Sequence, residues 1–144
     1  MINSVLIRSI NLGRRPTATQ NLTASNWTIA LLQEPHCVSG RPSLSNCLHG
    51  AAPGVTPRAA IGVNADLRNC SFVLANLSNR DSTALGVKIN DTRLVVASVY
   101  ADCDHMDFIE YIRNIARHCS DQNLPLVIGM DANAHSVLWG CPNT

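Results

Sequence analysis

Leu126-Val127-Ile128-Gly129-Met130-Asp131-Ala132-Asn133-Ala134-His135-Ser136 decides how the rest of the chain is read. Its apolar run reads as a buried strand, and the run ends abruptly in Asp-x-Asn. Open α/β sheets gather their chemistry at the carboxyl ends of strands. A carboxylate there orients water or holds a proton. A carboxamide two residues on faces the same side of an extended chain and can donate to a phosphate oxygen.

Working outward, residues 4–10, 28–33, 58–63, 71–74 and 124–130 read as strands. Residues 84–89 and 93–100 flank Asn90-Asp91-Thr92, which has the turn chemistry of a β-hairpin. Thr17 is expected to cap a short helix carrying Ala18 and Leu22 on one face. Asp102 or Asp104 is expected to cap a second helix, in which Phe108, Ile109, Ile112, Ile115, Ala116 and Cys119 recur at helical spacing. Asp107 and Glu110 in its first turn, with Arg117 and His118 near its end, suit the helix dipole. Residues 36–56, rich in Pro, Gly, Ser and Asn, read as a long loop. There is no internal repeat. The pattern predicts an α/β fold, sheet layers flanked by helices, with residues 1–144 as one domain or part of one.

Composition narrows the function classes. Hydrophobic residues make up 46% and charged residues 15%, a globular balance rather than a disordered one. Aromatics are only 4%, so the core must rest on Val, Ile, Leu and Ala. A net charge of +1 gives no general pull toward nucleic acid, but residues 1–80 carry seven Arg or Lys against Glu34 and Asp66. Six cysteines form no CxxC pair and match no recognised zinc spacing, so free, mostly buried thiols are expected. The N-terminal apolar run is broken by Arg8, and no segment is long enough to cross a bilayer. The expected location is nuclear or cytoplasmic, not secreted, with no membrane partner.

Asn11, Glu34, Tyr100 and Asp131 with Asn133 stand at the exits of four expected strands. Each alone has a bland reading as a turn residue, a solvated acid or a half-buried ring. Placed together they have the residue types for phosphodiester hydrolysis. A hard cation such as Mg²⁺, or Mn²⁺ in its place, takes oxygen ligands, which Glu34 and the Asn11 carboxamide can supply. Tyr100 and Asn133 can donate to the phosphate, and Asp131 can orient water or manage the leaving-group proton.

Ile10-Asn11-Leu12, Leu32-Gln33-Glu34-Pro35, Arg58-Ala59-Ala60-Ile61, Ser98-Val99-Tyr100 and Asp131-Ala132-Asn133-Ala134-His135-Ser136 with Leu138-Trp139-Gly140 resemble the endonuclease/exonuclease/phosphatase superfamily. Within it they are most similar to the apurinic-like endonuclease domain of non-LTR retrotransposons. The resemblance implies a four-layer α/β sandwich, two packed sheets flanked by helices. It implies Mg²⁺-dependent nicking of DNA for target-primed reverse transcription, with element RNA and a reverse transcriptase domain as further partners. It assigns Asn11 and Glu34 to the metal, Tyr100 and Asn133 to the phosphate, and Asp131 to the nucleophile or leaving group. His135 is expected to brace the loop after Asp131.

The chain departs from the family at Ser9, where many relatives carry Gln, and at His36, where an aromatic is common. It has no late Ser-Asp-His motif, whose His the resemblance makes the general base or a phosphate-binding group. The expectation is therefore an N-terminal portion of the domain, truncated at the C-terminus, with little or no turnover alone. The alternatives are a non-catalytic remnant that binds nucleic acid through Arg8, Arg14, Arg15, Arg41 and Arg58, or a phosphatase of the same superfamily.

Overall fold

The computed structural model describes residues 2–102 and 107–131. Asn133, His135 and Trp139, together with Cys103, Asp104, His105 and Cys141, lie outside the described residues. In chain order the elements are β1 (Ile7–Asn11), α1 (Pro16–Thr23), β2 (Ile29–Gln33), β3 (Cys37–Val38), β4 (Arg41–Pro42), β5 (Cys47–Leu48), β6 (Ala59–Val63), β7 (Ser71–Val73), β8 (Ser82–Ile89), β9 (Thr92–Tyr100), α2 (Asp107–Asp121) and β10 (Leu126–Asp131).

Two four-stranded sheets form, ordered β1-β2-β6-β5 and β10-β9-β8-β7. Strand alternation explains why they pack face to face. Ile29 and Leu31 of β2 and Ile61 and Val63 of β6 point inward, meeting Leu85, Val87 and Ile89 of β8 and Val96 of β9. The opposite faces are also apolar. Ala30 and Leu32 meet Leu22 of α1, while Val95 and Ala97 meet Ile115 and Cys119 of α2. The result is four layers, helix, sheet, sheet and helix, as the resemblance implied. Truncating a core side chain such as Leu31 would cost roughly 2–5 kcal/mol.

Several local expectations are corrected. Pro16 takes the first helical position of α1, so Arg15, not Thr17, is the N-cap. A proline's missing N–H costs nothing there. The 36–56 stretch holds β3, β4 and β5, each two residues long and too short to leave a period in the sequence. The face of α2 that packs inward is Tyr111, Ile115 and Cys119, whereas Ile109 and Ala116 are exposed. Asp102 accepts a hydrogen bond from Arg58. The final strand was expected to be buried, yet β10 lies at a sheet edge with Val127 and Met130 exposed. Of the described cysteines only Cys119 is buried, and Cys70 is exposed. No helix among the described residues is long and apolar enough to cross a membrane.

Candidate active site

The carboxyl ends of β1 and β2 lie side by side because these strands are parallel, with Asn11 opposite Gln33. The chain turns sharply just beyond. Asn11 Oδ1 accepts a hydrogen bond from the Gly13 N–H at 2.7 Å, and Gly13 takes a φ of +57° that suits glycine. Arg14 and Glu34 take left-handed φ values of +58° and +48°. Each such non-glycine residue costs about 1–2 kcal/mol. The Arg14 N–H donates to the Glu34 carbonyl at 2.8 Å, and the Glu34 N–H donates to the Arg58 carbonyl at 2.8 Å, so the strain is held from both sides. Strain of this kind is characteristic of functional sites. Among the described residues the half-buried Glu34 carboxylate has no hydrogen-bond or ion-pair partner.

The second sheet delivers its groups to the same end of the molecule. β9 and β10 are parallel, with Tyr100 opposite Asp131. The Ala101 N–H donates to the Asp131 carbonyl at 3.0 Å and fixes the strand exit. Asn11 Nδ2 donates to Asp131 Oδ2 and so joins two residues 120 positions apart across the two sheets. The structure thus brings Asn11 and Asp131 into contact, sets Glu34 one residue beyond Asn11's strand partner Gln33, and sets Tyr100 beside Asp131. Asn133 lies outside the described residues.

One rung below, Gln33 bridges the sheets. It is 2% exposed, and its Nε2 donates to Ser98 Oγ at 3.0 Å, with the Gly129 carbonyl at 3.4 Å and Ser9 Oγ at 3.5 Å. Ser98 Oγ in turn donates to the Leu32 carbonyl at 2.6 Å. Gly129 is required where β10 meets β1, because a Cβ there would stand 2.8 Å from Ser9 Cβ and 2.9 Å from Leu31 Cδ1.

Arg58 holds the other flank. Its Nε and Nη2 donate to Asp81 at 2.6 and 2.7 Å, and Nη2 also reaches Asp102 at 3.1 Å. The same guanidinium lies 4.7 Å from the centre of the Tyr100 ring. The hydrogen bonds it donates to Asp81 hold its pKa above the usual arginine range. Counted by sequence among cations free to meet nucleic acid, Arg58 is instead committed to two carboxylates and a ring. Asp81, Asp102 and Gln33 were not anticipated as contributors. Their partners are 23, 44 or 65 positions away, a separation that leaves no spacing signal.

The donors fit a Mg²⁺ ion that keeps most of its water. Such an ion needs one or two carboxylates and substrate oxygens rather than an all-protein cage. Glu34 offers an uncommitted carboxylate, and Asn11 Oδ1 carries a second lone pair beyond its bond to Gly13. Among the described residues no group of three or more His, Cys, Asp or Glu side chains is placed to hold a metal ion.

Comparison with solved structures follows from this geometry. The chain is similar to the endonuclease domain of TRAS1, a telomere-specific non-LTR retrotransposon, with a TM-score of 0.74, 27% sequence identity and coverage of 95% of this chain. It shares the fold of a retrotransposon endonuclease domain. It spans 63% of that domain's length. A β-hairpin deletion mutant of the Staphylococcus aureus β toxin is more distant, with a TM-score of 0.53 and 13% identity over 98% of this chain and 70% of the toxin, a likeness of fold alone. No protein-family model and no curated protein sequence matches the chain.

Proposed function

We propose that this chain acts in a Mg²⁺-dependent DNA endonuclease domain of a retrotransposon, nicking the strand that primes reverse transcription. The observation that carries this reading is the junction of Asn11 with Asp131, beside a Glu34 held at a strained φ of +48°. The TRAS1 likeness supports it. Element RNA and a reverse transcriptase domain are the partners this function requires.

Glu34 and the Asn11 carboxamide oxygen would hold the cation. When bound, Mg²⁺ neutralises charge on the phosphate and its leaving oxygen. Asn11 also restrains Asp131 through its amide, so that one residue ties the metal ligand set to the acid–base group. Asp131 orients the attacking water or takes part in protonating the leaving oxygen. The Tyr100 hydroxyl and the Asn133 carboxamide donate to non-bridging phosphate oxygens as charge builds on them. The Arg58 stack keeps the Tyr100 ring in one orientation, which limits the entropy lost when the phosphate arrives.

The test is nicking of supercoiled plasmid with Mg²⁺ or Mn²⁺ by the chain and by its Glu34→Ala and Asp131→Asn variants. No Ser-Asp-His sequence occurs in the 144 residues, so a rate about 10²–10⁴-fold below that of a domain with its general base is expected. Both variants are expected to remove the residual cleavage. Nicking that persists unchanged in both would refute the assignment.

A further inference from the structure

A cleft of about 360 Å³ opens next to Glu34, with Arg14, His36, Thr56, Arg58 and Arg80 in its lining. It contains three guanidinium groups and no carboxylate. The charges are not equivalent. Arg58 is neutralised by Asp81 and Asp102, which it meets at 2.6 and 3.1 Å. Arg14 makes no side-chain hydrogen bond or ion pair among the described residues, and Arg80 donates only to the Thr56 carbonyl, at 3.2 Å. Both are exposed, so two uncompensated positive charges face one concavity. His36, anchored through Nδ1 at 3.0 Å from Ser43 Oγ, adds a further ring nitrogen to the lining.

The backbone places this charge deliberately. The left-handed residue Arg14 donates its N–H to the carbonyl of the left-handed residue Glu34 at 2.8 Å. The same strained pair therefore sets Glu34 just past Gln33, the strand partner of Asn11, and Arg14 in the lining of the cleft. Arg80 also lines a second cavity, which includes Tyr100, so it stands between the two hollows. An anion one step along a strand from a phosphate held at Tyr100 would meet Arg80 and then Arg14.

We propose that the cleft formed by Arg14, His36 and Arg80 binds the DNA phosphate next along the strand from the one that is cut. The proposal rests on the nuclease reading for its choice of DNA, but its chemistry is that of a phosphodiester anion and needs no metal. The two arginines together neutralise that backbone phosphate and release condensed counterion, which makes the contribution readable as a salt dependence.

The experiment is fluorescence anisotropy of a labelled duplex DNA oligonucleotide with the intact chain, in EDTA, from 25 to about 200 mM KCl. The variants are Arg14→Gln with Arg80→Gln, the same pair changed to Lys, and Arg93→Gln, at the far end of β9 from the site. The expected result is a loss of about 0.9 in the magnitude of the log Kd against log salt slope for the Gln pair, the value for one phosphate contact. The Lys pair is expected to keep the wild-type slope. Arg93→Gln is expected to behave as wild type. Thermal melting of each variant checks that these exposed changes leave the fold intact.

An unchanged slope in the Gln pair overturns the proposal. So does an equal loss in Arg93→Gln, an absence of DNA binding by the wild type at low salt, or tighter binding of the matching RNA duplex through the same arginines. The two readings fail separately. Arginine-dependent binding without any Mg²⁺-dependent cleavage would sink the nuclease and spare the cleft. Glu34-dependent cleavage with KM and salt slope indifferent to Arg14 and Arg80 would do the reverse.

Discussion

Gln33→Ala is expected to destabilise the protein by about 3 kcal/mol and to disorganise the candidate site from beneath. The side chain is 2% exposed and makes one hydrogen bond of good length, 3.0 Å to Ser98 Oγ. Deleting one member of a buried polar pair costs about 1–3 kcal/mol, and the vacated volume between the sheets adds a cavity cost. With an unfolding entropy of roughly 2.1 cal/mol/K per residue, a chain of 144 residues loses about 10 °C in Tm. Gln33→Met fills the volume without the amide, and Ser98 Oγ keeps its bond to the Leu32 carbonyl at 2.6 Å. It is expected to cost only about 1 kcal/mol. Calorimetric melting of both variants separates packing from bridging. The functional consequence follows from position: Gln33 immediately precedes Glu34, Ser98 lies two residues before Tyr100, and Gly129 lies two before Asp131. Both variants are therefore expected to weaken metal-dependent nicking, Gln33→Met more than its stability loss accounts for. Melting temperatures within about 2 °C of wild type for both, with unchanged nicking, would refute the bridge.

Arg58 and Asp81 are expected to couple in a double-mutant cycle of Arg58→Met and Asp81→Asn by about 1–2 kcal/mol, since the pair is bidentate and the arginine side chain only 17% exposed. Denaturant unfolding measures this, and a coupling under about 0.3 kcal/mol would show the pair to be ornamental. Cys47 is half-buried, but its thiol is turned away from water, and this desolvation, aided by the neighbouring Cys37, pushes it from 9.0 up to about 12. The folded state therefore holds that proton where the unfolded chain has lost it. The stabilisation is complete below pH 9.0 and disappears as pH rises toward about 12. Cys47→Ala should flatten the alkaline fall in stability; an unaltered fall would place the titration elsewhere. Glu34→Gly relieves a left-handed φ worth about 1–2 kcal/mol while adding about 0.4–1 kcal/mol of unfolded-state entropy. It is expected to melt no lower than Glu34→Gln, and a clearly lower Tm would mean that the φ of +48° carries no strain.

Elements with a period were legible in the sequence. The hairpin of β8 and β9 shows apolar runs on both sides of the turn residues Asn90-Asp91, and the structure pairs Ile89 with Thr92 across that turn. The strand exits at Asn11, Glu34, Tyr100 and Asp131 were legible as positions. What joins them was not. The Asn11 to Asp131 bond spans 120 residues, and nothing local to either residue encodes it. β3, β4 and β5 escaped notice because two residues cannot alternate. Arg58 was misread because its carboxylate partners sit in a turn and a strand exit far along the chain, so only its formal charge was visible. Gln33 stood within a quoted motif, yet its place in an apolar run gave no sign that its amide faces the other sheet. Glu34's left-handed backbone could not be anticipated either, since proline at position 35 biases the residue before it toward extended conformations.

The candidate site depends on two sheets, and this determines how it is tuned. Asn11 and Glu34 ride on one sheet, Tyr100 and Asp131 on the other. Their separation is therefore set by the packing distance between sheets, about 10 Å, rather than by any one loop. Three devices hold the sheets closer at this end. Gly129 lets β10 approach β1, Gln33 and Ser98 replace apolar packing with directed hydrogen bonds, and Asn11 clasps Asp131. Bulkier inward residues at these positions would satisfy the hydrophobic core and still pry the two halves of the site apart. A geometry that must hold to about half an ångström thus explains why polar groups sit in an otherwise apolar interface.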